Sequence, residues 1–122
     1  MALEPSNDAE VDLVAAQYAG AKATLKPLYD VLAATIADLG NDIELSPKKA
    51  YVSVRRTKQF AILQPAAGRI DVGLVLKSTE PTERLEAAGS FNAMVTHRIR
   101  VTSVEFIDDE LKSWLRDAYT QA

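Results

Sequence analysis

The chain has 122 residues, of which 48% are hydrophobic and 25% are charged, with a net charge of −3 and no cysteine. This composition is typical of a single folded domain and not of a disordered chain. The lack of cysteine excludes disulfides, a thiol nucleophile and a thiolate metal site. No apolar run approaches the ~20 residues of a membrane span, and the acidic first residues lack the layout of a secretory signal. We therefore expect a cytoplasmic protein that does not contact a membrane.

The charge is distributed unevenly along the chain. The segment from Lys48 to Arg100 contains ten Lys or Arg residues and four acids, a net charge of +6. The two flanks together carry four basic and thirteen acidic residues, a net charge of −9. A basic middle between acidic ends predicts a positive surface that suits an anionic ligand. The alternative is that these Lys and Arg residues only occupy the solvated face of strands.

Two helices are predicted in the N-terminal third. The alanine-rich segment 11–19 indicates a short helix that ends near Gly20. A second helix is predicted with Thr24 as its N-cap, Pro27 in its first turn and the Gly40-Asn41 pair at its end. Its apolar stripe has helical spacing and consists of Leu25, Leu28, Tyr29, Leu32, Ile36 and Leu39.

Strands are predicted after Pro47, because apolar and polar residues there begin to alternate. A tight hairpin joins the first two strands, and residues 65–68 form a turn before the third. The four predicted strands are residues 50–56, 58–64, 69–77 and 94–101.

The rest of the chain is predicted to be a connection and a final helix. Residues 78–93 form a long connection with a helical turn around residues 82–88. In the final helix, the acids at 108–110 in the first turn and Arg116 near the end suit the helix dipole. The apolar stripe of this helix consists of Ile107, Leu111, Trp114, Leu115, Ala118 and Tyr119.

These elements predict an α+β fold. We expect a two-layer sandwich in which about four mostly antiparallel strands carry the N- and C-terminal helices on one face. Residues 1–10 are predicted to be a flexible leader and residues 11–122 a single domain. The strand residues expected to face the helices are Val52, Val54, Phe60, Ile62, Ile70, Val72, Leu74, Leu76, Val95, Ile99 and Val101.

The opposite face of the sheet is the predicted binding site. Two basic clusters, at residues 47–49 and 55–58, are expected near one end of the sheet. Tyr51 beside Arg55 would offer an aromatic ring and a planar cation, which suit base stacking and phosphate binding. The predicted ligand-binding residues are Tyr51, Ser53, Arg55, Lys58, Arg69, Asp71, Thr96, Arg98 and Arg100.

Each of the other candidate sites has both a functional and a purely structural interpretation. His97, the single histidine, is predicted to point toward the helices as a core residue, although imidazole is also a common catalytic group. The acids at 108–110 suit either helix capping or a Mg²⁺ site. Residues 89–92 suit either a plain strand-entry loop or an anion-receiving loop. Phosphate-loop and dinucleotide fingerprints are absent, and we predict no catalytic residue, metal or cofactor.

Four blocks of the chain occur in a specific order: PKKAYVSVRRTKQFAILQP, RIDVGLVLK, RLEAAGSFNAMVTHRIRV and DDELKSWLRDAY. Together they resemble an uncharacterised bacterial domain family, known only as a domain of unknown function, over about Tyr18 to Ala122. Members of that family occur alone, behind another small domain, or at the end of larger proteins, some of which resemble DNA-restriction systems. Some members carry the label predicted transport protein. The resemblance supplies no catalytic residues to carry over to this chain, and it slightly favours nucleic acid as a partner.

The sequence thus predicts a small non-enzymatic binding module. Its basic polar sheet face would hold an anionic partner, either nucleic acid or a phosphorylated small molecule. One alternative is a small enzyme that uses Asp71, His97 and the sheet arginines. Another is a protein-interaction domain that forms a homodimer through its sheet.

Overall fold

The computed structural model describes the backbone of residues 8–122 and the side chains of residues 12–122. The first elements are helix α1 (Asp8–Gln17), a 3₁₀ segment (Gly20–Leu25) and helix α2 (Lys26–Ala37). Most of the predicted leader lies outside the described residues, and its last three residues belong to α1.

Helix α2 begins differently from the prediction. Gly20 has a φ of 61°, and the 3₁₀ segment that follows it leads directly into α2. Leu25 is therefore the N-cap residue, without a side-chain cap, and the prediction of Thr24 was wrong. Pro27 lies in the first turn as predicted, where its missing N–H has no intrahelical partner to lose.

The described residues form a six-stranded antiparallel sheet in the order β1-β2-β3-β4-β6-β5. The α+β class is confirmed, and the sheet has two strands more than predicted. The strands are β1 (Glu44–Pro47), β2 (Val52–Arg55), β3 (Gln59–Ala66), β4 (Arg69–Leu74), β5 (Glu86–Ala87) and β6 (His97–Val101).

The two additional strands lie outside the four predicted strands. Strand β1 ends at Pro47, which the sheet tolerates because β1 is an edge strand and a proline there costs no essential ladder bond. The helical turn predicted at 82–88 is wrong, since Glu86 and Ala87 form β5 and pair with β6. Strand β5 has only two residues and is too short to show alternation, whereas β1 alternates over four residues and was missed because Pro47 was interpreted as a break before the first strand.

The C-terminal helix agrees with the prediction. A 3₁₀ turn (Val104–Phe106) leads to helix α3 (Asp109–Gln121), and the side chain of Asp108 accepts a hydrogen bond from the Leu111 N–H at 3.0 Å. This contact is an N-cap, as the acidic first turn indicated. Leu111 and Leu115 are fully buried, whereas Trp114 is only partly buried against the core.

The helices cover one face of the sheet and form the main core with it. This core includes fully buried residues from α2, α3 and strands β2, β3, β4 and β6. None of the helices within residues 8–122 is long and apolar enough to cross a membrane.

A second, smaller apolar cluster lies on the opposite face. It consists of Ile62, Ala88 and Val95, so the prediction that Ile62 and Val95 face the helices was wrong. Strand β3 has an irregularity at Phe60, because Val54 pairs with Ala61 and Arg55 with Gln59. One additional residue in a strand changes which face the following side chains occupy.

Candidate functional site

A network of three arginines and two carboxylates occupies the outward face of β4 and β6. Arg69 Nε donates to Asp71 Oδ1 at 2.8 Å. Glu86 accepts from Arg98 Nη2 at 3.4 Å, and its other oxygen lies 3.0 Å from Arg100 Nε. Asp71 pairs with Arg100 in the sheet register, so the two groups of charges lie side by side. The network retains one positive charge in excess.

The Asp71 carboxylate stabilises the charged form of Arg69. The hydrogen bond to Asp71, together with its charge, raises the pKa of Arg69 above its ordinary value. Glu86 was not predicted, because it lies in the connection that the sequence indicated to be partly helical. Asp71 is therefore one of two acids among the arginines of this face.

The loop between β5 and β6 covers the middle of the same face. Val95 packs there on Ile62, and the ring centroid of Phe91 lies 5.0 Å from the Arg98 guanidinium carbon. The Phe91 N–H donates to Ala88 O at 3.0 Å, so it is engaged in a turn. Residues 89–92 thus form part of a cover over the sheet, which agrees with the plain-loop alternative.

Two predicted ligand-binding hydroxyls make contacts within the chain. Ser53 is buried, and its Oγ donates to Gln59 Oε1. Thr96 Oγ1 accepts from the Leu76 N–H at 2.9 Å and so joins the segment that follows β4 to the residue that precedes β6. These contacts are sufficient to explain both side chains as parts of the fold.

The two basic clusters lie at opposite ends of the sheet. Lys48 and Lys49 belong to the β1–β2 turn, and Arg55 and Lys58 flank the β2–β3 turn. Because β2 connects the two turns, the prediction that both clusters share one end was wrong. All four side chains are exposed.

Arg56, between Arg55 and Lys58, makes contacts that hold parts of the fold together. Its Nε donates to Asp42 Oδ2 at 2.9 Å, and its guanidinium carbon lies 4.3 Å from the centroid of the Tyr119 ring. The Tyr119 hydroxyl donates to Asp42 Oδ1 at 2.7 Å, and this bond contributes most to a lowered pKa of Asp42. Arg56, Asp42 and Tyr119 together join the β2–β3 turn to α3.

An open cleft of about 590 Å³ lies between the end of α1 with the 3₁₀ segment and the β1–β2 turn. Lys22 and Lys49 line it together with Gln17 and Gln64, and the rest of the lining is Pro65 and alanines. The sequence did not indicate this site, because its residues come from segments far apart in the chain.

Gln17 connects the two sides of the cleft. Its Nε2 donates to Lys48 O at 2.7 Å and to Tyr51 O at 3.0 Å, and only 6% of the residue is exposed. Its Oε1 is buried and has no hydrogen-bond partner among the described residues. The β1–β2 turn is thereby fastened to α1.

The cleft is continuous with the arginine network. Val52 pairs with Leu63, so Tyr51 lies beside Gln64 on the outward face. Gln64 in turn pairs with Asp71. The row Tyr51, Gln64 and Asp71 thus leads from the cleft to the centre of the polar face. Tyr51 and Asp71 are two of the predicted site residues.

His97 belongs to the core, as predicted. It is 5% exposed and pairs with the core residue Leu74. Its Nε2 lies 3.0 Å from Thr79 O and its Nδ1 2.7 Å from Thr96 Oγ1. A carbonyl oxygen only accepts hydrogen bonds, so Nε2 carries the proton.

The acids at the start of α3 bind an arginine. Arg84 Nη1 lies 2.9 Å from Asp108 Oδ2 and 2.9 Å from Glu110 Oε1. Within the described residues, no group of three or more His, Asp or Glu side chains has the arrangement of a metal site. The hydrogen bond from the Leu111 N–H and the ion pairs with Arg84 give Asp108 and Glu110 structural roles at the start of α3.

The family model described as "Domain of unknown function (DUF5655)" matches residues 14–122. The chain belongs to this family. The DUF5655 match confirms the resemblance of the four sequence blocks to an uncharacterised domain family, while a bacterial origin and an association with restriction-type proteins stay predictions. No curated protein and no solved structure matches the chain.

Proposed function

We propose that this DUF5655 domain is a small non-enzymatic binding module that holds an anionic partner, nucleic acid or a phosphorylated small molecule. The observation that supports the proposal most directly is the set of exposed cations at the two ends of the sheet. Lys48, Lys49, Arg55 and Lys58 make no ion pair with any of residues 12–122. Unpaired cations attract phosphate groups without first losing a carboxylate partner.

The arginine network has a different part in this proposal. Arg69, Arg98 and Arg100 already have carboxylate partners, so a bound anion would have to compete with them. Their excess of one positive charge adds to the potential of the face, and we assign direct contact mainly to the exposed cations at its ends.

The geometry favours binding over catalysis by Asp71 and His97. Asp71 lies on the outward face and is 3% exposed, whereas His97 faces the helices. A shared active site would need both groups within reach of one substrate, because proton transfer requires contact distances of about 3 Å.

Titration with fluorescent single- and double-stranded oligonucleotides at several salt concentrations tests the proposal. Affinity should fall steeply with salt, because binding releases counterions from the phosphates. Lys49→Ala/Lys58→Ala should weaken binding roughly tenfold at low salt and lower the salt slope by about two. A matched control is Lys112→Ala/Arg116→Ala, which removes two exposed cations from α3.

Two results would contradict the proposal. One is the absence of binding at low ionic strength for oligonucleotides and for nucleoside monophosphates alike. The other is an equal loss of affinity in the two double variants, which would indicate attraction to net charge alone and no preferred surface.

A further inference from the structure

We infer that the cleft beside Lys22 and Lys49 binds the phosphate monoester group of a small molecule. This inference rests on the proposed anion-binding function and goes beyond it, because it assigns one site and one class of ligand. The cleft volume of about 590 Å³ lies within the range of roughly 300–1,000 Å³ that is common for small-molecule sites.

Two cations from distant parts of the chain meet at the cleft. Lys22 belongs to the 3₁₀ segment and Lys49 to the β1–β2 turn. Neither lysine makes an ion pair with any of residues 12–122. A phosphate monoester carries a charge of about −1.5 to −2 at neutral pH, which matches two lysines.

Gln17 holds the cleft in shape before a ligand arrives. Both hydrogens of its Nε2 are engaged with main-chain carbonyls, those of Lys48 and Tyr51. These two bonds fix the turn that carries Lys49 relative to α1. A site that is already ordered loses less conformational entropy on binding. Gln17 is thus a positioning residue.

The remaining lining suits the organic part of a small ligand. Four alanines and Pro65 supply apolar surface, and Gln64 supplies a half-buried amide. Small side chains leave room for a sugar or a base beside the phosphate. Phosphate also occurs in nucleic acid as a diester, so the experiment has to distinguish a monoester from a polymer.

Calorimetric titration of the full chain with adenosine 5′-monophosphate tests the inference, with cyclic AMP and an oligonucleotide as comparison ligands. Lys22→Ala/Lys49→Ala should weaken binding of the monophosphate roughly tenfold at low salt. Lys112→Ala/Arg116→Ala is the matched control, since it removes two exposed cations from α3, away from the cleft and from the ends of the sheet, and should change affinity less than threefold. Thermal melting checks that both variants are folded.

The wild-type protein provides a second test that needs no variant. The second pKa of a phosphate monoester is about 6, so affinity for the monophosphate should fall between pH 7.5 and pH 5.5. Cyclic AMP, a diester with one charge, should bind more weakly at pH 7.5 and show no such fall.

The outcomes separate this inference from the proposed function. Oligonucleotide binding without monophosphate binding would overturn the cleft assignment and leave the proposed function intact. Equal losses in the two double variants, or a larger loss in the Lys112/Arg116 variant, would also overturn the cleft assignment. If neither ligand binds, both proposals fail.

Discussion

The two faces of the sheet differ in what their side chains do. In the centre, Leu63, Val72 and Ile99 lie side by side on the helix-covered face and are fully buried. The adjacent row lies on the outward face and consists of Ile62, Gly73 and Arg98, one residue before Leu63 and Ile99 and one residue after Val72. The helix-covered face stabilises the fold through apolar burial, and the outward face combines a small apolar cover with charge. Under the proposed function, substitutions of the exposed charged residues should alter binding without disturbing the helix-covered core.

The largest effect is expected on the helix-covered face. Leu115→Ala should lower the free energy of unfolding by about 2–5 kcal/mol, because Leu115 is fully buried between α3 and the sheet. Urea unfolding measures this loss, with the exposed Lys112→Ala on the same helix as the control. A loss below about 1 kcal/mol would show that α3 is peripheral to the core. Trp114→Ala should cost less than Leu115→Ala, since Trp114 is only partly buried.

A smaller effect is expected from the cover on the outward face. A Cβ added at Gly73 would lie 2.7 Å from Ile62 Cγ1 and 3.0 Å from Val95 Cγ2. Gly73→Ala should therefore destabilise the protein by about 1–3 kcal/mol through overpacking. The same change in a Val95→Ala background should cost less, and a double-mutant cycle measures the difference. Additive effects would contradict packing of this loop on the sheet.

The elements that the sequence predicted correctly have patterns that are local. The apolar stripe of α2 repeats at helical spacing, and the acids before Leu111 indicated the start of α3. The alternation in β4 placed Val72 and Leu74 on the correct face. Each of these features depends on residues within about four positions of one another, so sequence alone was sufficient.

Where the prediction failed, the structure depends on contacts between distant residues. The irregularity at Phe60 becomes visible only when β2 and β3 are paired, and it moved Ile62 to the outward face. In the sequence, Val95 has the same spacing as the apolar residues of β6. In the structure it belongs to the loop before β6, which covers the outward face. In both segments the apolar residues alternate in the sequence, but the irregularity in β3 and the loop that carries Val95 decide which face each side chain occupies.

The same limit applies to the candidate site. The sequence predicted the polar face and placed Arg69, Asp71, Arg98 and Arg100 on it. The prediction was possible because every second residue of a strand lies on the same face of the sheet. It did not predict Glu86, which enters the network through the short strand β5. The cleft depends on the contact between Gln17 and a turn more than thirty residues later. No local pattern encodes such a contact.

Substitution of Asp108, at the start of α3, should have a smaller effect on stability than the two changes above. The N–H of Leu111 and the guanidinium of Arg84 lower the pKa of Asp108 below its ordinary value of 3.8. Its contribution to stability is therefore present above the unfolded-state pKa and is lost as the pH falls through the folded-state pKa. Asp108→Ala should lower the melting temperature at pH 7, and the gap to wild type should narrow below about pH 4. Asp109→Ala, with no capping contact, is the control, and an unchanged gap at pH 3 would contradict this role.

The smallest change in stability, and the sharpest distinction between binding and catalysis, is expected from Asp71→Asn. Asparagine retains an oxygen that can accept from Arg69 Nε, so the loss of stability should be about 1 kcal/mol. The negative charge disappears, and the excess positive charge of the arginine network rises from one to two. Under the binding proposal, affinity for anions should stay similar or rise by up to about threefold.

The outcome for Asp71→Asn separates the alternatives because they require opposite results. If Asp71 acted as a catalytic base, the substitution would abolish turnover while the ligand still bound. If Asp71 only orients Arg69, anion binding continues with an altered salt dependence, which calorimetric titration against nucleotides and oligonucleotides measures. Complete loss of anion binding in a folded Asp71→Asn variant would contradict the orienting role. That result would place Asp71 in direct contact with the ligand, where the negative charge would have to accept a donor from the bound molecule.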